Sequence, residues 1–211
     1  MSTTMFRATC VAVTACAVLG AGCGSYVREG RGPMQAVVTA LEGASGVSPD
    51  KFGGTLSSDV ITLVKKDVGG QQVLVPTIYG DVGRASVDVT LKDPGTAASP
   101  TQPTSVNEVT FSRYRVTYER ADGRNAPGID VPYPFDSAVT FTVRPGTTAA
   151  AGFDLVRITA KQEAPLAALS VNSTFITTIA TVTLYGQDRA GNEVTATGRI
   201  GVTFGNFGDP E

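Results

Sequence analysis

Hydrophobic and polar residues alternate along most of this chain. Between Arg84 and Asp93, Ala85, Val87, Val89 and Leu91 interleave with Ser86, Asp88, Thr90 and Lys92. Between Ala138 and Arg144, Val139, Phe141 and Val143 interleave with Thr140 and Thr142. From Glu193 to Phe204, every second residue (Val194, Ala196, Gly198, Ile200, Val202, Phe204) falls on one side. Successive side chains of a strand point to opposite faces, so a period of two marks a strand buried on one face. Val and Thr, frequent here, suit a pleated surface.

Weaker runs at Gln35–Glu42, Asp59–Lys65, Gln72–Val75, Phe153–Lys161 and Phe175–Gly186 are compatible with further strands. Asn107–Arg120 changes phase: Val109 and Phe111 share one parity, Tyr114, Val116 and Tyr118 the other. A bulge near Ser112-Arg113 would restore one buried face. Gln35–Glu42 and Pro165–Leu169 also admit a short helix. About nine strands separated by Gly, Pro and Asp predict an all-β fold, an antiparallel β-sandwich. Pro94–Pro103 (PGTAASPTQP) is a polar connection that could divide two small domains. The segment before it would have a thin core alone, which favours one sandwich over 34–205 with a tail at 206–211.

The first residues have a different character. One positive charge, Arg7, precedes an uncharged run from Ala8 to Gly22, too short for a comfortable membrane span but suited to a signal-peptide core. Small residues then lead into Cys23. This resembles a bacterial lipoprotein signal, in which the Cys after the cut is acylated and becomes the new N-terminus. The resemblance implies a signal peptide at 1–22, lipid on Cys23 and a flexible tether over 23–33. In Leu19-Gly20-Ala21-Gly22-Cys23 the large aliphatic sits four before the Cys rather than three. Val13-Thr14-Ala15-Cys16 fits that box better but leaves a shorter run after Arg7, so Cys16 is the competing acceptor.

Composition narrows the chemistry. The chain has no His, the commonest general base and metal ligand, and no Trp, the aromatic most used at interfaces. All three Cys (Cys10, Cys16 and Cys23) precede the alternating body, which therefore has neither a disulfide nor a thiol nucleophile. A net charge of −2 gives no basic excess for nucleic acid.

The densest set of candidate ligands is Asp188-Arg189-Ala190-Gly191-Asn192-Glu193, between two strand-like runs. Asp at the start of a turn accepts backbone N–H groups and Gly near its end supplies positive φ, so a hairpin needs both whether or not anything binds. Calcium would want six to eight oxygens, and this loop offers few beside a positive Arg189. A structural turn is expected, with no metal and no cofactor. Asp-x-Ala-Gly-Asn followed by Val194-Thr195-Ala196-Thr197 resembles the last hairpin of bacterial immunoglobulin-like domains, over roughly residues 176–204. Together with the signal and Val131-Pro132-Tyr133-Pro134-Phe135, the chain resembles bacterial lipoproteins with such a domain, a resemblance that implies a fold and a location but no activity.

Three other features were candidates for chemistry. Asp130, Asp136 and Asp154 could converge as a carboxylate pair for glycoside hydrolysis, but their spacing gives no more reason for this than chance. Arg113, Arg115, Arg120 and Arg124 give one strand a basic side, which Glu119, Asp122 and Asp130 could neutralise. In Ala126–Asp136, prolines stiffen a segment that cannot lie mid-sheet. The two-residue spacing of Ile129, Val131, Tyr133 and Phe135 predicts one apolar edge plugging the end of the sandwich. The competing reading makes Tyr133 and Phe135 a preorganised binding loop. These readings point to a non-catalytic binding or scaffolding lipoprotein of the bacterial cell envelope. It would be held to the membrane by its lipid, with an envelope protein or glycan as partner and no nucleic acid. An envelope carbohydrate-active enzyme using Asp pairs, or a carbohydrate-binding module, is the alternative.

Overall fold

The computed structural model describes residues 32–208. Cys16 and Cys23 lie outside that range. The fold is all-β with a single short α-helix among the described residues. Strands β1 (Met34–Ala44), β5 (Asp81–Leu91) and β10 (Thr148–Val156) form one antiparallel sheet in the order β1-β5-β10. Strands β2 (Thr55–Asp59), β8 (Val109–Glu119), β9 (Phe135–Val143), β11 (Ile176–Asp188) and β12 (Glu193–Gly205) form the other, in the order β2-β12-β11-β8-β9. All its pairings are antiparallel except β2 with β12, which run parallel. The remaining strands make two isolated ribbons: β3 (Thr62–Val68) with β4 (Gln71–Thr77), and β6 (Gly95–Thr96) with β7 (Ser99–Pro100) inside the polar connection.

Alternation explains the burial. Ala85, Val87 and Val89 of β5 are buried, as are Val194, Ala196, Ile200, Val202 and Phe204 of β12, and they belong to one core cluster shared by both sheets. Two tyrosines tie the layers together. From β8, the Tyr118 hydroxyl donates to the Leu155 carbonyl at 2.6 Å and the Tyr114 hydroxyl to the Asp154 carbonyl at 3.2 Å, both on β10. Burial of these hydroxyls raises both phenol pKa values, Tyr118 far beyond its ordinary range.

The phase change in β8 is a bulge. Phe111 pairs with Gly186 and Arg113 with Tyr185, so Ser112 stands unpaired against β11. The slip returns Tyr114, Val116 and Tyr118 to the buried face that Val109 and Phe111 occupy.

Two expected strands differ. Asp59–Lys65 is broken, with β2 ending at Asp59 and β3 starting at Thr62. The Asp59 carboxylate makes the break: Oδ2 accepts from the Thr62 hydroxyl at 2.8 Å, and Oδ1 from the amides of Ile61 (3.4 Å) and Phe207 (3.2 Å). Phe153–Lys161 also ends early. β10 stops at Val156 and helix α1 (Ile158–Gln162) follows. The reason lies at its end, where Lys161 turns inward to a buried acid. Leu166–Ser170 is a 3₁₀ turn with Pro165 as its N-cap, so the short helical option at Pro165–Leu169 is met from Leu166 on, and Gln35–Glu42 lies within β1.

Candidate functional site

The bend at 188–192 is held by its own acid. Asp188 Oδ1 accepts the amides of Ala190 (3.0 Å) and Asn192 (2.8 Å), and Oδ2 accepts the Asn192 side-chain amide at 2.8 Å. Gly191 donates to the Asp188 carbonyl at 3.0 Å with φ +83°, a conformation that costs Gly least. Asp188 is buried, and both its oxygens are engaged within the turn. Among the described residues no three His, Cys, Asp or Glu side chains stand together as a metal site.

The 126–135 segment divides its apolar residues. Val131 and Phe135 are buried, whereas Ile129 and Tyr133 are 74% and 53% exposed. The expected single apolar edge is absent because residues 126–131 form a tight turn rather than an extended run. Within it, Ile129 and Asp130 donate to the Ala126 carbonyl (3.1 and 2.8 Å), and Gly128 donates to that of Val131 at 2.8 Å. Asp130 Oδ2 accepts the Ala126 amide at 3.2 Å. The Phe135 ring meets Tyr114 edge-on at 6.1 Å and carries the Arg157 guanidinium at 4.3 Å. The Tyr133 ring lies over Gly128, filling the space where any side chain at 128 would stand.

The arginines share acids. Arg113 and Arg115 both bond Asp136 (2.6 and 2.8 Å), Arg120 and Arg124 both bond Asp122 (2.7 Å each), and Arg144 and Arg189 both bond Glu108 (3.1 and 2.6 Å). Asp122 is the neutralising partner that the sequence suggested; Asp136 takes the place expected of Glu119 or Asp130, since cross-strand pairing sets Arg115 opposite it. Asp136 is engaged by two arginines and Asp130 by its own turn, and Asp154 lies exposed on the other sheet. Arg113 also stacks on Tyr185 at 4.0 Å, beside an open groove of about 710 Å³ lined by Thr110, Ser112, Gln187 and Arg189.

The most enclosed polar cluster escaped the sequence reading. Asp81, at the start of β5, and Lys161, in α1, contact at 2.8 Å with side chains 0% and 1% exposed. Asp81 Oδ2 also accepts the Ser58 hydroxyl of β2 at 2.6 Å, and Oδ1 accepts the Gly46 amide at 2.9 Å. Lys161 Nζ donates further to the Asp59 carbonyl at 2.7 Å. Gly46 is required by this approach, because a Cβ there would collide with the carbonyl of Gly80. Burial raises the Asp81 pKa, and the partners Lys161, Ser58 and Gly46 offset this only in part. No signal joins residues 46, 58, 81 and 161 in the sequence, and Phe153–Lys161 reads there as a strand throughout.

No known protein family, curated protein or solved structure matches the chain. No helix among the described residues is long and apolar enough to cross a membrane.

Proposed function

We propose that the protein is a non-catalytic binding or scaffolding lipoprotein of the bacterial envelope. In this reading an immunoglobulin-like β-sandwich is tethered through Cys23 and offers its 126–135 loop to an envelope protein or glycan. The observation that carries the reading is the division within that loop. Val131 and Phe135 root it in the core, while Ile129, on a turn that makes its own hydrogen bonds, and Tyr133, whose ring packs on Gly128, stay exposed. A rigid pair of exposed apolar side chains loses little conformational entropy on binding.

Position supports it too. The chain enters β1 at Met34, which pairs with Leu91, and the far end of β9 lies close by, since Gly146 donates to the Val89 carbonyl. The loop precedes Phe135, at the other end of β9. Nine strand residues span about 30 Å at ~3.3 Å each. Met34, where a tether would join, thus lies at the end of the fold opposite the loop. The engagement of Asp130, Asp136 and Asp188 in turns and ion pairs favours binding over hydrolysis.

The test compares two variants. The double change Ile129→Ser with Tyr133→Ala should leave stability within ~0.5 kcal/mol and abolish recovery of cross-linked envelope partners. Phe135→Ala should instead cost about 3 kcal/mol in denaturant. Undiminished recovery by the double variant would remove the loop from the proposal. For the anchor, Cys23→Ser should release the chain from the membrane fraction; lipid found on Cys16 would shift the tether to that residue.

A further inference from the structure

We propose that Asp81 and Lys161 are a modification site, at which the chain joins itself through an isopeptide bond between the Lys161 amine and the Asp81 carboxyl. The inference rests on what surrounds the pair. The two reacting groups touch at 2.8 Å and are sealed from solvent. Each further contact suits one step of an amide condensation and needs no outside reactant.

The steps balance. A proton passes from Nζ to Oδ2 along their hydrogen bond, turning an ion pair into a neutral amine and a carboxylic acid. Burial raises the Asp81 pKa, which eases protonation of Oδ2 at this step. The Nζ lone pair then attacks the carboxyl carbon, and negative charge develops on Oδ1. The Gly46 N–H, 2.9 Å away, faces that oxygen as an oxyanion donor. Nζ gives up a second proton to Oδ2, the C–Oδ2 bond breaks, and Oδ2 departs as water. The Ser58 hydroxyl, donating to Oδ2 at 2.6 Å, stabilises the leaving oxygen. The carbonyl re-forms at Oδ1. Nothing is oxidised or reduced: one C–N bond replaces one C–O bond. The product keeps the bond from Gly46 to Oδ1, and its amide N–H can still donate to the Asp59 carbonyl, as Nζ does now.

Fixed positioning of two reactants can supply a large part of such a barrier. Here the fold supplies it with four elements: the 46 loop, β2, β5 and α1. The bond would staple the start of β5 to α1, closing a loop that contains β5, β8, β9 and β10.

Peptide mass spectrometry of the purified full-length protein decides. Trypsin should yield Asp67–Arg84 joined to Ile158–Arg189, with no cleavage after Lys161 and a mass lower than the sum of the two by one water. Asp81→Asn should give the same branched peptide by loss of ammonia from the side chain. Lys161→Arg keeps the cation but removes the nucleophile and should give only linear peptides. Ser58→Ala should slow the appearance of the branched species after refolding of newly made chain. Linear peptides of full mass from the wild type, with cleavage after Lys161, would overturn the proposal. So would a water loss that maps elsewhere or persists in Lys161→Arg.

Discussion

Two buried aspartates define the molecule by contrast. Asp188 is satisfied by Ala190 and Asn192, two and four residues away, within one bend. Asp81 is satisfied by Gly46, Ser58 and Lys161, which arrive from three separate elements. The first acid makes a turn whose geometry is local and would recur in any hairpin of that sequence. The second holds parts of the fold that have no sequence relation to each other. Asp188 is a carboxylate among neutral amide donors. Before any bond forms between them, Asp81 faces a buried cation, so each charge depends on the other for its solvation. A local acid thus shapes its own segment, and a long-range acid shapes the assembly of segments.

This contrast can be broken by mutation, most strongly at Asp81. Asp81→Ala leaves the Lys161 ammonium buried without its counter-ion and should cost at least about 3 kcal/mol in chemical denaturation. A loss below ~1 kcal/mol would show that α1 simply swings its lysine to water, and that the cluster holds nothing together. Asp188→Ala removes a capping carboxylate from one bend and should cost about 1–2 kcal/mol. Its melting should be insensitive to calcium chelation. A sharp fall of wild-type melting temperature in EDTA would mean that Asp188 serves a metal after all, and the comparison would fail on its local side.

The smallest effect is expected at Asp122, which is local like Asp188 but exposed. Hydrogen bonds from Arg120, then Arg124, hold its carboxyl well below the usual carboxylate range. A depressed folded pKa contributes stability that is present above the unfolded pKa, near 3.8, and is lost as pH falls through the folded value. The stability gap between wild type and Asp122→Asn should therefore be small near neutrality and close further in acid, measured by denaturation across pH. A gap that widened in acid would contradict the ion-pair assignment. Solvent screening keeps the whole effect slight.

Much of the fold was legible because alternation is a local consequence of strand geometry. Arg84–Leu91, Ala138–Val143 and Glu193–Phe204 fall on strands, with Lys92, Asp93 and Arg144 just beyond their ends, and the parity change in Asn107–Arg120 located the bulge at Ser112. The Asp188 bend was legible for the same reason: its donors and its acceptor are sequence neighbours. The 126–135 loop was half legible. Its prolines showed a stiff connection, but the tight turn at 126–131 broke the two-residue period, and Ile129 and Tyr133 are exposed.

Sequence by itself determined which residues could make strands, where the chain bends, and which chemistry was excluded by the absence of His and of Cys in the body. These depend on side-chain type and on neighbours a few positions apart. Only the tertiary structure decided strand order, the parallel pairing of β2 with β12, and the break of Phe153–Lys161 into strand and helix. It alone brought Lys161 to Asp81. An apolar pattern specifies a face to be buried but not the partner that buries it. A buried charge likewise carries no mark in the sequence, because its counter-charge is chosen by the packing of elements far apart in the chain.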